Sequence, residues 1–62
     1  MLKNYIVTIS LWGGDKIIEE KVSAQNPTKA KIKACDSVHK RTKIPFAMIE
    51  AQGVRIEKKV NN

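Results

Sequence analysis

The chain has one cysteine, one histidine and three aromatic residues among its 62. Each scarcity excludes something. Cys35 cannot form a disulfide within one chain, which fits a reducing, cytoplasmic setting. Cys35 and His39 together fall short of a zinc tetrad, so no metal or other cofactor is expected. The most apolar stretch, Tyr5 to Trp12, is too short and too polar for a membrane span or a signal-peptide core. Asn26-Pro27-Thr28 is no glycosylation acceptor, because proline fills its middle position. Acidic residues are scarce too, six against twelve basic, for a net charge of +6. The length allows a single domain, residues 1–62, and leaves little room for an enzyme cleft.

What is present begins with alternation. Tyr5, Val7, Ile9 and Leu11 share one parity, and Ile6, Thr8, Ser10 and Trp12 the other. Successive strand residues point to opposite faces, so this run reads as a central strand, about residues 3–12, with four apolar groups on one side. Gly13-Gly14-Asp15 signals a turn, and a second strand is expected over residues 16–24. A two-residue Gly14-Asp15 loop sets Leu11 against Ile18, Val7 against Val22, Tyr5 against Ala24 and Trp12 against Ile17. A loop of Gly13-Gly14 keeps the same faces with fewer apolar pairs, so the first register is the expected one.

Asn26 is a good helix N-cap, and Pro27 suits the first helical position. The helix is expected to reach about Thr42. Ala30, Ala34 and Val38 recur every four residues and form a narrow stripe beside Cys35. Lys29, Lys33 and Lys40 fall on the opposite side, with Ile32 and His39 at the border. Pro45 stops the helix. Residues 46–60 then read as one strand with a phase change at Gly53. Ile49 and Ala51 share one parity, Val54 and Ile56 the other. A bulge is preferred to a hairpin, because Gln52-Gly53 is a poor hairpin pair. The expected fold is a small α+β domain of ββαβ type. It has a three-stranded, mainly antiparallel sheet in the order 2-1-3, with one helix packed on one face.

Few groups suit catalysis. Cys35 and His39 stand four apart on one helix, but a nucleophile also needs an oxyanion hole and a cleft. Glu19 and Glu20, adjacent in a strand, point to opposite faces. Gly13-Gly14-Asp15-Lys16 lacks phosphate-loop spacing. No enzymatic activity and no small-molecule substrate are expected.

Charge is uneven. Lys3, Lys16 and Lys21 balance Asp15, Glu19 and Glu20. Lys29, Lys31, Lys33, Lys40, Arg41 and Lys43 face only Asp36. Such a helix suits phosphates, and Lys29, Lys33, Lys40, Arg41 and Lys43 are the candidate nucleic-acid contacts. A stacking platform for single strands is missing. Ile6, Trp12 and Ile17 on the outer sheet face, with Met48 and Ala51 on an outer strand, are the candidate protein or dimer contacts. The plainer role for Trp12 is to cover the hairpin end.

The order of elements, the opening Ala24-Gln25-Asn26-Pro27-Thr28-Lys29-Ala30 and the later His39-Lys40-Arg41 resemble the archaeal ribosomal protein LX. The Gly-Ser-basic-His run of that family is replaced by Asp36-Ser37-Val38-His39, and no residue role is carried over. In size and plainness the chain is also similar to the small standalone proteins that phages and mobile elements turn on host machinery. The expected function is a non-enzymatic binding protein, a homodimer, that modulates or inhibits a larger protein partner. The alternative is a basic RNA- or DNA-binding module, ribosome-associated in the case the resemblance implies.

Overall fold

A computed structural model describes residues 2–57. Its elements are β1 (Lys3–Leu11), β2 (Lys16–Ala24), α1 (Pro27–Thr42) and β3 (Ile49–Ile56), with a tight turn of positive φ at Trp12–Gly14 and a single 3-10 turn at Phe46–Met48. The sheet order is β2-β1-β3, and β1 is antiparallel to both neighbours. This is the small α+β fold read from the sequence.

The core follows from the pleat. Tyr5, Val7, Ile9 and Leu11 are all buried, and so are Ala30, Ala34 and Val38 on the facing helix. The short helix side chains allow a close approach to the sheet, and Ala24, Ile44 and Ile49 close the cluster. Asn26 caps α1 by accepting a 2.8 Å hydrogen bond from the Lys29 backbone N–H. At the other end Lys43 takes a left-handed conformation, and its N–H donates to the His39 carbonyl at 2.7 Å. The helix therefore ends at Thr42, with Lys43 and Ile44 between it and Pro45. Ile32 stands on the open face of the helix rather than at its border.

The hairpin departs from the preferred register. Leu11 pairs with Lys16, Ile9 with Ile18 and Tyr5 with Val22, two residues away from that expectation. Gly13-Gly14 is centred in a loop that runs from Trp12 to Asp15. Trp12 has left the strand and does not pair with Ile17, whose partner is Ser10. The turn decides this outcome over the count of apolar pairs. Gly13 (φ +72°) and Gly14 (φ +105°) both sit where side chains are strained. A Gly14-Asp15 loop would instead leave Gly13 in a strand, where glycine is costly.

The third strand is a single strand with a bulge, as the phase change implies. Thr8 pairs with Gly53 and Ile9 with Ala51, so Gln52 is the extra residue. The strand begins later than expected, because Phe46–Met48 forms a 3-10 turn. The expectation for residues 58–60 lies outside the described residues.

Candidate interaction surfaces

Glu19 and Glu20 do face opposite ways, and each takes a different partner. Glu20 lies on the helix side of β2, its side chain only 12% exposed. It accepts two hydrogen bonds from Arg41, at 2.8 and 3.0 Å, and one from the Ser37 hydroxyl at 3.0 Å. The Arg41 guanidinium holds the Glu20 carboxyl below its ordinary value of 4.5, against the opposing effect of burial. Because the folded value is depressed, the contribution to stability is full above that ordinary value. It is lost as the pH falls through the lowered one. Glu20→Gln is therefore expected to flatten the acid limb of a plot of Tm against pH. An acid limb identical to wild type would rule out this clamp.

On the outer face, ion pairs reach across β1. Arg55 of β3 donates to Glu19 of β2 at 2.8 Å, and Lys21 of β2 meets Glu57 at 3.2 Å. Ile6 lies opposite both Lys21 and Arg55 and is half-buried. Ser10 is buried and accepts from Gln52 at 3.3 Å. Most of this face is thus a polar lattice around Ile6, with Ile17 exposed at its hairpin end.

The apolar exposure is concentrated toward one end of the molecule. Seven large apolar residues are exposed among those described. Four of them lie at the end of the molecule that holds the hairpin loop and the C-terminus of α1. These are Trp12 (49% exposed), Ile17 (63%), Phe46 (52%) and Met48 (44%). Ile49 pairs with Leu11, so Met48 and Trp12 leave neighbouring strands at the same end. Phe46 is fixed there by stacking on His39, with ring centroids 4.0 Å apart. The His39 Nδ1 lies 2.7 Å from the Ile44 carbonyl, which can only accept, so Nδ1 carries the proton. Sequence reasoning missed Phe46, which it placed in a strand. The His39–Phe46 stack depends on the turn that follows the helix.

Trp12 has φ +56°. A bulky side chain in the left-handed region is strained by about 1–2 kcal/mol, and such strain gathers at functional sites. Ala51, by contrast, packs against the core cluster and offers no side chain to a partner. The bulge at Gln52 also interrupts the free edge of β3, a common protection against edge pairing.

Two of the predicted basic contacts are paired with carboxylates. Arg41 is engaged with Glu20, and Lys40 with Asp36 at 3.1 Å. Lys43 caps the helix at the Trp12 end. Lys29 and Lys33 stand at the other end, where they donate to the Gln25 side chain at 3.0 Å and the Ser23 carbonyl at 2.7 Å.

Two surface depressions are small. One of about 130 Å³ is lined by Asn4, Lys21, Val22, Ser23 and Glu57. The other, about 230 Å³, is lined by Leu2, Ala24, Gln25, Lys29 and Lys33. Both are below the several hundred Å³ usual for ligand pockets. Cys35 is half-buried, and burial pushes its thiol pKa up, opposite to the direction a nucleophile needs. Among the described residues no three His, Cys, Asp or Glu side chains converge as metal ligands. No described helix is long and apolar enough to cross a membrane.

Comparison with known protein families, with curated proteins and with solved structures finds no match for this chain.

Proposed function

We infer that this is a non-enzymatic binding protein that docks its Trp12 end on a larger protein and modulates it by occupying that surface. One observation carries the reading: four of the seven exposed large apolar side chains share one end of the molecule. Exposed apolar groups gathered this way mark contact sites, and tryptophan is the residue type most enriched among binding hot spots. The rim suits such a contact. Lys16 and Lys43 balance Asp15 and Glu50 there, so no net charge opposes a neutral protein surface. An inhibitory role would follow wherever the covered surface of the partner is one it needs.

Self-association would use the same surface and so compete with the partner. The outer sheet face is crossed by ion pairs and the β3 edge is broken by a bulge, which leaves the Trp12 end as the dimer surface. The test is recovery of partners from the native host by the tagged chain, with and without nuclease, beside an Ile17→Lys/Met48→Lys variant. A partner protein should survive nuclease and be lost with the variant. Equal recovery by both proteins would sink the reading. Sedimentation at low micromolar concentration should show a mass that falls to that of the monomer in the same variant. A wild type that stays monomeric would remove the dimer.

A further inference from the structure

The charges of the described residues sort by position. Ten are basic and six acidic, a net of +4. Four pairs cancel: Lys21 with Glu57, Lys40 with Asp36, Arg41 with Glu20, and Arg55 with Glu19. Lys16 and Lys43 share the Trp12 end with Asp15 and Glu50, equal in number though without an ion pair within 4.0 Å. What remains is Lys3, Lys29, Lys31 and Lys33, and none of them has a carboxylate partner within 4.0 Å among the described residues. All four lie toward the end opposite Trp12. Lys3 opens β1 and pairs with Ala24, and the other three stand in the first half of α1. The entire net charge of the described residues is therefore at one pole and the apolar cluster at the other.

We propose that this basic pole binds the phosphate backbone of a nucleic acid, independently of what the Trp12 end does. Four ammonium groups without carboxylates neutralise phosphates and release their counterions. Uncharged polar side chains share the pole, among them Gln25 and Thr28, both exposed, and such groups commonly donate to phosphate oxygens. Lys29 and Lys33 also hydrogen-bond to Gln25 and the Ser23 carbonyl, which leaves their charge without a carboxylate partner. Lys29 stands in the first helical turn, where a cation opposes the helix dipole and no acidic residue relieves it. This locates phosphate contacts at Lys3, Lys29, Lys31 and Lys33, rather than along the whole helix to Lys43. Charge without base-reading groups implies weak sequence preference.

The test is fluorescence anisotropy of the full chain with labelled single-stranded RNA and duplex DNA of mixed sequence, across a salt series. Four phosphate contacts predict a slope of log K against log salt of about −3.6 on duplex and about −2.8 on single strands. Lys29→Gln/Lys31→Gln/Lys33→Gln should make the slope shallower by about 2 to 3 on either probe. Lys16→Gln/Lys43→Gln, at the other pole, should leave it unchanged. Circular dichroism melts check that each variant is folded. If the triple variant melts, the single Lys31→Gln, whose side chain has no hydrogen bond in the fold, should still make the slope shallower by about 1. No binding at low salt would overturn the proposal. So would equal losses from the two poles, which would mean diffuse attraction only. Tighter binding to anionic phospholipid vesicles than to either nucleic acid would also overturn it. The Ile17→Lys/Met48→Lys variant should bind the probes at least as well as wild type, so failure at one pole is separable from failure at the other.

Discussion

Ile9→Ala is expected to destabilise the protein by about 2–5 kcal/mol, enough to unfold much of it at room temperature. Ile9 is 0% exposed and sits in the central strand, two residues before its end, between Ile18 of β2 and Ala51 of β3. The helix above it presents Ala30, Ala34 and Val38. Those side chains are short and already fully buried, so they cannot reach into the space that a lost isoleucine leaves. The cavity therefore stays open, and its cost adds to the lost transfer free energy. A domain of this length has roughly 3–9 kcal/mol of stability in total, so the loss is comparable to the whole. Ile17→Ala, at an exposed site on the neighbouring strand, should change stability by no more than about 0.5 kcal/mol. Denaturant melts of both variants check this. Coincident wild-type and Ile9→Ala curves would show that β1 is not the centre of the core.

Trp12→Gly should separate binding from folding. Glycine accepts φ +56° without strain, so about 1–2 kcal/mol of backbone cost is relieved. Greater freedom of the unfolded chain takes back up to about 1 kcal/mol. The half-exposed indole also loses some packing, and the net change in Tm should be close to zero. Binding to the partner should instead fall on the order of 30-fold or more, the size of a hot-spot loss of about 2 kcal/mol. Titration calorimetry against the partner recovered in the pull-down measures it. A large drop in Tm with unchanged affinity would assign Trp12 to covering the hairpin end.

Both expectations rest on elements legible to different degrees in the sequence. The helix was legible to the residue, because its signals are local. Asn26 and Pro27 mark its start, and the four-residue spacing of Ala30, Ala34 and Val38 marks its buried stripe. The bulge was legible near Gly53, because a strand cannot change the parity of its apolar residues without one extra residue. The register of the hairpin was not. Counting apolar pairs favours Leu11 against Ile18, while the turn places Ile9 there. The apolar end was half legible. Trp12, Ile17 and Met48 stood among the candidates, but Phe46 did not, and Ile6 and Ala51 proved half-buried in the fold. The division of charge between two poles was hidden, since the helix carries lysines along its whole length.

What the sequence by itself determined is whatever a few neighbouring residues decide: the faces of each strand, the limits of the helix and the excess of positive charge. These follow from side-chain alternation, capping and helical spacing, which act over one or two turns of chain. Only the tertiary structure decided which cations are cancelled. Glu20 meets Arg41 across 21 positions and Glu19 meets Arg55 across 36. Such pairs form because the sheet and the helix bring distant residues within hydrogen-bond reach, and Coulomb attraction depends on distance in space rather than along the chain. The separation of an apolar pole from a basic one is therefore a property of the packed fold.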